Sequence, residues 1–155
     1  MGVPAPTWCP DCRLQRRLAF RNERTFYKRP CELCGADTVS MYDPVSGIVN
    51  YCGECWWGDK WDPISYGQEY DFSKPFFAQF SELIGKVPHQ NLSVSYKTLT
   101  NTNFTNMNHE LKNCYYIFNS DNDERCIYGE EIEFSKDCVD ITMADNTELA
   151  YECLN

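Results

Sequence analysis

Four cysteines in two Cys-x2-Cys pairs are the residues of this sequence best suited to chemistry. The pairs lie in "CELCG" and "YCGEC", on either side of residues 35–51. The four residues are Cys31, Cys34, Cys52 and Cys55. Each pair can form a tight turn that directs two thiolates toward one point, and zinc prefers four such sulfurs in a tetrahedron. Two disulfides or four unrelated thiols are the alternatives, but a disulfide within a Cys-x2-Cys pair closes a very small loop and stabilises little. The spacing therefore predicts a structural Zn²⁺ site with no open coordination position.

The segment between the two pairs must bring them together. "TVSMY" (residues 38–42) and "IVNY" (residues 48–51) are rich in β-forming residues, and "DPVSG" between them is typical of a turn. The sequence therefore predicts a β-hairpin whose two ends carry the two cysteine pairs. Zinc bound there would contribute on the order of 10 kcal/mol to folding.

A third pair, Cys9 and Cys12 in "PTWCPDCRLQRR", is harder to place. Two thiolates do not complete a zinc site. Either this pair shares Cys31 and Cys34, or its remaining ligands lie outside this chain. Cys9 and Cys12 are therefore a possible second metal site that is incomplete.

Residues 6–17 resemble the second half of a zinc-ribbon domain of treble-clef type. That family has a Pro-x-x-Cys-Pro-x-Cys-Arg pattern followed by basic residues, which "PTWCPDCRLQRR" matches. The layout of the chain also resembles uncharacterised zinc-ribbon proteins of uncultured bacteria. The resemblance implies an earlier Cys-x2-Cys pair, so we expect this chain to be a fragment that begins inside its first zinc module. No activity comes with the resemblance.

The basic residues are concentrated near the start of an otherwise acidic chain. The net charge is −9, yet residues 41–155 hold seven basic and nineteen acidic side chains, a balance of −12. Helical spacing predicts a short basic helix, and the candidate phosphate contacts in the segment 13–29 are Arg13, Arg16, Arg17, Arg21 and Arg24. Such a helix can bind a nucleic-acid backbone or pair with the acidic part of its own protein. The acidic balance favours the second interpretation.

Residues 59–90 are dense in aromatic side chains. "SKPFFAQFSELIG" predicts a helix with Ser73 as N-cap, Pro75 in the first turn and Gly85 after its end. The predicted apolar stripe consists of Phe76, Phe77, Phe80, Leu83 and Ile84. We interpret this segment as packing that joins the zinc module to its neighbour, with a ligand groove as the alternative.

The last third contains two similar stretches, "KNCYYIFNSDN" and "KDCVDITMADN", at an offset of 24 residues. Cys126 lies midway between Cys114 and Cys138 and hints at a half-period of 12. The pattern predicts a right-handed β-solenoid-like region over residues 91–155. Matching positions would then stack: Cys114 over Cys138, Ile117 over Ile141, and Asn122 over Asn146. A metal site from Cys114, Cys126, Cys138 and Cys153, or a meander sheet, are the alternatives.

These observations predict a mainly β protein in three parts. They are a zinc-ribbon module with a short basic helix (1–58), an aromatic linker with an amphipathic helix (59–90), and a solenoid-like region that we expect to be truncated (91–155). The sequence shows no signal peptide and no long apolar run, which favours a cytoplasmic protein without membrane contact.

The predicted function is that of a zinc-binding structural or interaction protein whose partner is another protein. Nucleic-acid binding through the basic segment is the alternative. A carbohydrate-active solenoid enzyme is a remote alternative, and its carboxylates would be Glu131, Glu133, Asp137 and Asp140. The sequence has no phosphate-binding loop and no nucleophile–histidine motif, so we interpret the protein as a non-enzyme.

Overall fold

A computed structural model describes residues 5–18, 22–130, 132, 136, 139–142, 148, 149 and 151. Three helices are α1 (Pro10–Leu18), α2 (Gly53–Trp56) and α3 (Phe76–Lys86), and two short 3₁₀ turns span Pro63–Tyr66 and Tyr96–Thr98. The strands are β1 (Tyr27–Pro30), β2 (Asp37–Ser40), β3 (Asn50–Tyr51), β4 (His89–Gln90), β5 (Tyr115–Phe118), β6 (Ile127–Glu130) and β7 (Val139–Thr142). They form three separate sheets of two or three strands.

The first sheet is the antiparallel pair β1–β2, in which Tyr27 lies opposite Ser40 and Pro30 opposite Asp37. The first cysteine pair therefore lies in the connection of this hairpin. The predicted hairpin between residues 38–42 and 48–51 is wrong, because β2 pairs with β1 and β3 pairs in parallel with β4.

Buried Arg29 gives the physical reason for this different pairing. Its guanidinium donates to the carbonyl of Ile48 at 2.9 Å and to that of Asp43 at 3.3 Å, and it forms an ion pair with Glu32 at 2.5 Å. The carbonyl of Ile48, in the second predicted strand, is therefore bound by a side chain. A buried arginine needs such partners, since an unpaired buried charge is costly.

Two buried asparagines join the small sheets. Asn50 accepts a hydrogen bond from the Ser40 hydroxyl at 2.8 Å, and both side chains are fully buried. Asn91 donates to the Thr38 hydroxyl at 2.8 Å and to the carbonyl of Val39 at 2.7 Å, while its own N–H donates to the carbonyl of Tyr51. These bonds satisfy buried backbone groups at the edges of very short strands.

Helix α3 forms where the sequence predicts it, with different ends. Pro75 precedes the first helical residue, while Ser73 bonds the carboxylate of Asp71 instead of capping the helix. Gly85 lies inside the helix, which ends at Lys86. The chain stops being helical there because Pro88 disfavours a helical conformation at the preceding residue.

The C-terminal part is a parallel array, the name we use for the backbone that is bridged from Val94 to Thr142. Neighbouring strands pair at an offset of twelve residues: Tyr115 lies beside Ile127, which lies beside Val139. Isolated bridges extend the same offset to earlier residues, such as Thr100 with Lys112. From residue 101 to residue 128, every third residue has a left-handed backbone conformation: Asn101, Phe104, Met107, Glu110, Asn113, Tyr116, Asn119, Asn122, Arg125 and Tyr128.

The prediction of a mainly β fold with a right-handed solenoid is wrong. Within the described residues the helices and strands are short, and the sheets are small and open, with no closed or solenoid sheet. Left-handed residues interrupt the extended backbone even inside β5, at Tyr116, and inside β6, at Tyr128, and each strand has four residues at most. The offset of 24 is also wrong for neighbouring strands, because Gly129 lies between Ile117 and Ile141 in the strand register.

Three residues named in that prediction lie outside the described residues: Cys138, Asn146 and Cys153. The division at residues 58 and 90 stays a prediction.

A separate apolar core supports the parallel array. It consists of Leu111, Cys114, Ile117, Cys126 and Ile132, with Leu99 packed against it. Polar groups around this core are paired: the Ser120 hydroxyl donates to Asp123, and the N–H of Ser120 donates to the Asn108 side chain at 3.0 Å. The array is thus held by a narrow apolar centre and by satisfied polar side chains.

We expect Gly129→Ala to destabilise the protein by about 1–3 kcal/mol, the usual cost of overpacking a core. An added Cβ would lie 1.8 Å from Cδ1 of buried Ile132 and 3.4 Å from Cδ1 of Ile117. Gly85→Ala is the matched control, because its Cβ meets nothing within 4 Å and alanine favours helix α3. Urea unfolding measures both variants, and a Gly129→Ala protein as stable as wild type would contradict this packing.

Candidate metal centre

The first cysteine pair is positioned by a tight turn after β1. The N–H of Cys31 donates to the carbonyl of Ala36 at 2.8 Å, and the N–H of Gly35 donates to the carbonyl of Cys31 at 2.8 Å. Gly35 has a φ of +76°, a conformation that glycine adopts without the strain of a Cβ. The turn holds Cys31 and Cys34 on one side of the β1–β2 hairpin.

The second pair lies at the start of α2. Cys52 directly precedes this helix, and its carbonyl accepts the N–H of Trp56 at 2.8 Å. The N–H of Glu32 donates to the carbonyl of Asn50 at 2.9 Å, which joins the first turn to β3. The N–H of Cys52 donates to Sγ of Cys31 at 3.3 Å, so the two pairs are also linked directly.

The four sulfurs meet at one point. The thiol sulfurs of Cys31, Cys34, Cys52 and Cys55 all lie within 4.8 Å of one another. Sγ of Cys34 lies 3.9 Å from Sγ of Cys52, and a tetrahedral Zn–S₄ site with bonds of about 2.3 Å requires sulfurs about 3.8 Å apart. The prediction that these cysteines can share one metal ion is therefore confirmed, while the identity of the metal stays a prediction.

Burial differs among the four thiols. Cys31 and Cys55 are buried, Cys52 is half-buried and Cys34 is exposed. Burial raises the pKa of Cys31, but the N–H groups of Cys52, Cys34 and Leu33 outweigh it and lower that pKa to about 6. Burial raises the pKa of Cys55 and of Cys52 above the ordinary value of a thiol. One thiolate thus forms readily, and a divalent cation would stabilise the others.

Aromatic side chains cover the buried cysteines of the metal centre. Trp56 and Trp61 pack against the buried cysteines with ring centroids 4.8 Å apart, and the indole N–H of Trp61 donates to the carbonyl of Trp56 at 2.9 Å. Tyr51 contacts Trp61 edge-on, and burial, followed by a hydrogen bond with Tyr66, raises the pKa of Tyr51 to about 12. This half of the aromatic segment therefore packs on the metal centre.

Cys9 and Cys12 lie apart from this group. Both are exposed, and the N–H of Cys12 donates to Sγ of Cys9 at 3.3 Å, which lowers the pKa of Cys9. Within the described ranges, the four-sulfur centre is the one group of three or more metal-binding side chains. Cys9 and Cys12 therefore do not share Cys31 and Cys34, and a site completed from outside this chain stays a prediction.

The predicted phosphate contacts divide into two sets. Arg13, Arg16 and Arg17 are exposed on α1, whereas Arg24 lies beyond it with its guanidinium 5.9 Å from the ring centre of Phe118. Arg21 lies outside the described residues. Arg29, at the end of the same basic segment, is buried and supports the fold. Sequence reasoning missed that role, although "YKRP" in a strand would direct alternate side chains inward.

The carboxylates of the remote enzyme alternative gain no support. Glu131, Glu133 and Asp137 lie outside the described residues, and nothing is described of the side chain of Asp140. That alternative also depended on a solenoid, which the structure contradicts.

Comparison with protein-family models, curated proteins and solved structures gives no match to this chain. No helix in the described part is long and apolar enough to cross a bilayer.

Proposed function

We propose that this protein is a zinc-stabilised structural module that presents a surface to a protein partner. The observation that carries the proposal is the convergence of four thiol sulfurs within 4.8 Å from two separate turns. Four thiolate ligands and no open position are typical of structural zinc sites rather than catalytic ones. The resemblance to zinc-ribbon proteins agrees with this choice of metal.

The position of the centre supports a structural role. It joins the β1–β2 hairpin to β3 and α2, elements of only two to four residues that cannot be stable alone. The apolar cluster beside it is small, with three buried residues, Cys31, Tyr51 and Cys55. A metal ion would supply the stabilisation that so small a core lacks.

Exposed aromatic residues support the interaction role. Phe72 is 92% exposed and Phe77 is 79% exposed, in and just before α3. Large aromatic side chains in water are unfavourable unless a partner covers them. A reducing compartment, the cytoplasm, is part of the proposal, because a thiolate zinc site requires reduced cysteines.

Titration with Co²⁺ in place of Zn²⁺ tests the proposed ligand set. We expect one equivalent to give the visible absorption of a tetrahedral tetrathiolate site, because four sulfurs surround the ion. The Cys34→Ser/Cys52→Ser variant should lose that absorption, and the matched control Cys9→Ser/Cys12→Ser should keep it. Full absorption in the first variant, or loss only in the second, would show that the ion binds elsewhere.

A further inference from the structure

Five aromatic side chains form an exposed patch, which we call the aromatic surface. Its members are Tyr70, Phe72, Phe76, Phe77 and Phe80, and they are 46%, 92%, 53%, 79% and 45% exposed. Their rings form two contacting groups: Phe76 stacks on Phe80 at 5.5 Å and lies edge-on to Phe77 at 5.3 Å, and Tyr70 lies edge-on to Phe72 at 4.8 Å. At roughly 200 Å² for a whole side chain, the patch exposes on the order of 600 Å². Patches of this size mark interaction sites.

The aromatic surface is held in shape before any partner binds. The side chain of Gln79 on α3 accepts the N–H of Asp71 at 2.9 Å and donates to the carbonyls of Asp71 and Lys74. These bonds fix the segment that carries Tyr70 and Phe72 against the helix that carries the three phenylalanines. A preorganised surface loses less conformational entropy on binding.

Helix α1 is a second exposed surface. Every residue from 5 to 17 is exposed, including the apolar side chains Trp8 (51%) and Leu14 (48%). An isolated helix of nine residues is marginally stable in water. Its stability would rise if its apolar side chains were covered.

The two surfaces are complementary in chemistry. Helix α1 presents Arg13, Arg16 and Arg17, and Arg16 already lies over the ring of Trp8 at 5.4 Å. Arginine stacks well on aromatic faces. Carboxylates flank the aromatic surface in the sequence: Glu69, and also Asp71 and Glu82, which form ion pairs with Lys74 at 3.4 Å and with Lys86 at 2.5 Å. Because residues 41–155 have a charge balance of −12, the basic helix is also attracted at longer range.

We propose that the aromatic surface binds helix α1 of a second copy of this chain, so that two copies exchange their helices in a two-fold dimer. A two-fold arrangement makes the same contact twice. If each contact covers about 600 Å² on each partner, two contacts bury roughly 2,400 Å² in total, more than the roughly 1,600 Å² of a standard stable interface. The proposal deepens the proposed function by naming the partner, and it rests on that function for the zinc-held fold.

Sedimentation velocity over a concentration series, with zinc measured in each sample, tests the proposal. We expect the wild-type chain to dimerise. Phe72→Glu/Phe77→Glu should weaken the dimer by about 30-fold or more, as loss of central aromatic contacts does. Arg13→Glu/Arg16→Glu/Arg17→Glu should do the same from the other side. Ile64→Glu is the matched control, because Ile64 is 85% exposed outside the aromatic surface, and it should dimerise like wild type.

Mixing the two weakened variants gives the sharpest result. Together they retain one intact helix and one intact aromatic surface, so the 1:1 mixture should associate more tightly than either variant does alone. Failure of the mixture to associate would overturn the proposal. So would a wild-type chain that contains zinc and stays monomeric, or one in which α1 binds only its own copy or a nucleic acid. A wild-type dimer without zinc would support the exchange and contradict the proposed function.

Discussion

Replacing Cys31 with serine is expected to abolish zinc binding and to unfold the region around the metal centre. Cys31 is 1% exposed, and its sulfur accepts the N–H of Cys52 at 3.3 Å while sharing the centre with three other thiols. A structural zinc ion contributes on the order of 10 kcal/mol to folding, which is comparable to the whole stability of a domain. Loss of one buried ligand therefore removes most of what holds these short elements together.

Tryptophan fluorescence and zinc content measure this effect together. Trp56 and Trp61 pack against the buried cysteines, so their emission should shift toward that of solvent-exposed indole. The matched control is Cys9→Ser, since Cys9 is exposed and lies apart from the metal centre. A Cys31→Ser protein with one zinc ion and wild-type emission would contradict the assignment.

Ile117→Ala is expected to destabilise the protein by about 2–5 kcal/mol without loss of zinc. Ile117 is fully buried in the core of the parallel array, beside Leu111, Cys114 and Cys126. Removal of a large aliphatic side chain from a packed core costs this amount, because both apolar burial and contacts are lost. The array and the metal centre have separate apolar cores, so the zinc ligands should be unaffected.

Chemical denaturation with zinc measured in parallel checks this prediction. Ile127→Ala is the control, because Ile127 lies on the neighbouring strand and is 42% exposed. The Ile127→Ala substitution should lower the free energy of unfolding by clearly less than Ile117→Ala does. Equal losses for the two variants would mean that Ile117 is not a core residue, and zinc loss in Ile117→Ala would mean that the two cores are not independent.

The metal centre was predictable from the sequence because each Cys-x2-Cys pair forms a local turn. The strand pairing around the two cysteine pairs was not predictable in the same way. Strand pairing is non-local, and strand alternation alone does not show that Arg29 binds the carbonyls of Asp43 and Ile48. The type and spacing of the cysteines identify the metal ligands, whereas the pairing partner of each strand depends on tertiary contacts.

The array shows a different limit. The similarity between the two stretches is strongest at an offset of 24, because Lys112 and Lys136 match while Glu124 between them does not. The backbone pairs at every offset of twelve residues, and Lys112 forms an ion pair with Glu124, its bridge partner, at 3.2 Å. At this position the charge alternates from Lys112 to Glu124 to Lys136. Sequence identity therefore marks every second step and gives a period of 24 residues, whereas the backbone pairs at an offset of twelve.

Helix α3 shows what an apolar stripe alone does not specify. Its existence follows from residue spacing, but the stripe was interpreted as packing, whereas Phe76, Phe77 and Phe80 are exposed and only Leu83 and Ile84 are half-buried. Periodicity indicates that a face needs a partner and does not say whether that partner lies in the same chain.

Quantifying metal in purified protein, before and after treatment with a strong chelator, tests whether a zinc ion holds this fold. We expect one mole of zinc per mole of chain and cooperative unfolding once that zinc is withdrawn. A preparation that contains no metal, yet keeps its native tryptophan emission and unfolding midpoint in excess chelator, would contradict it.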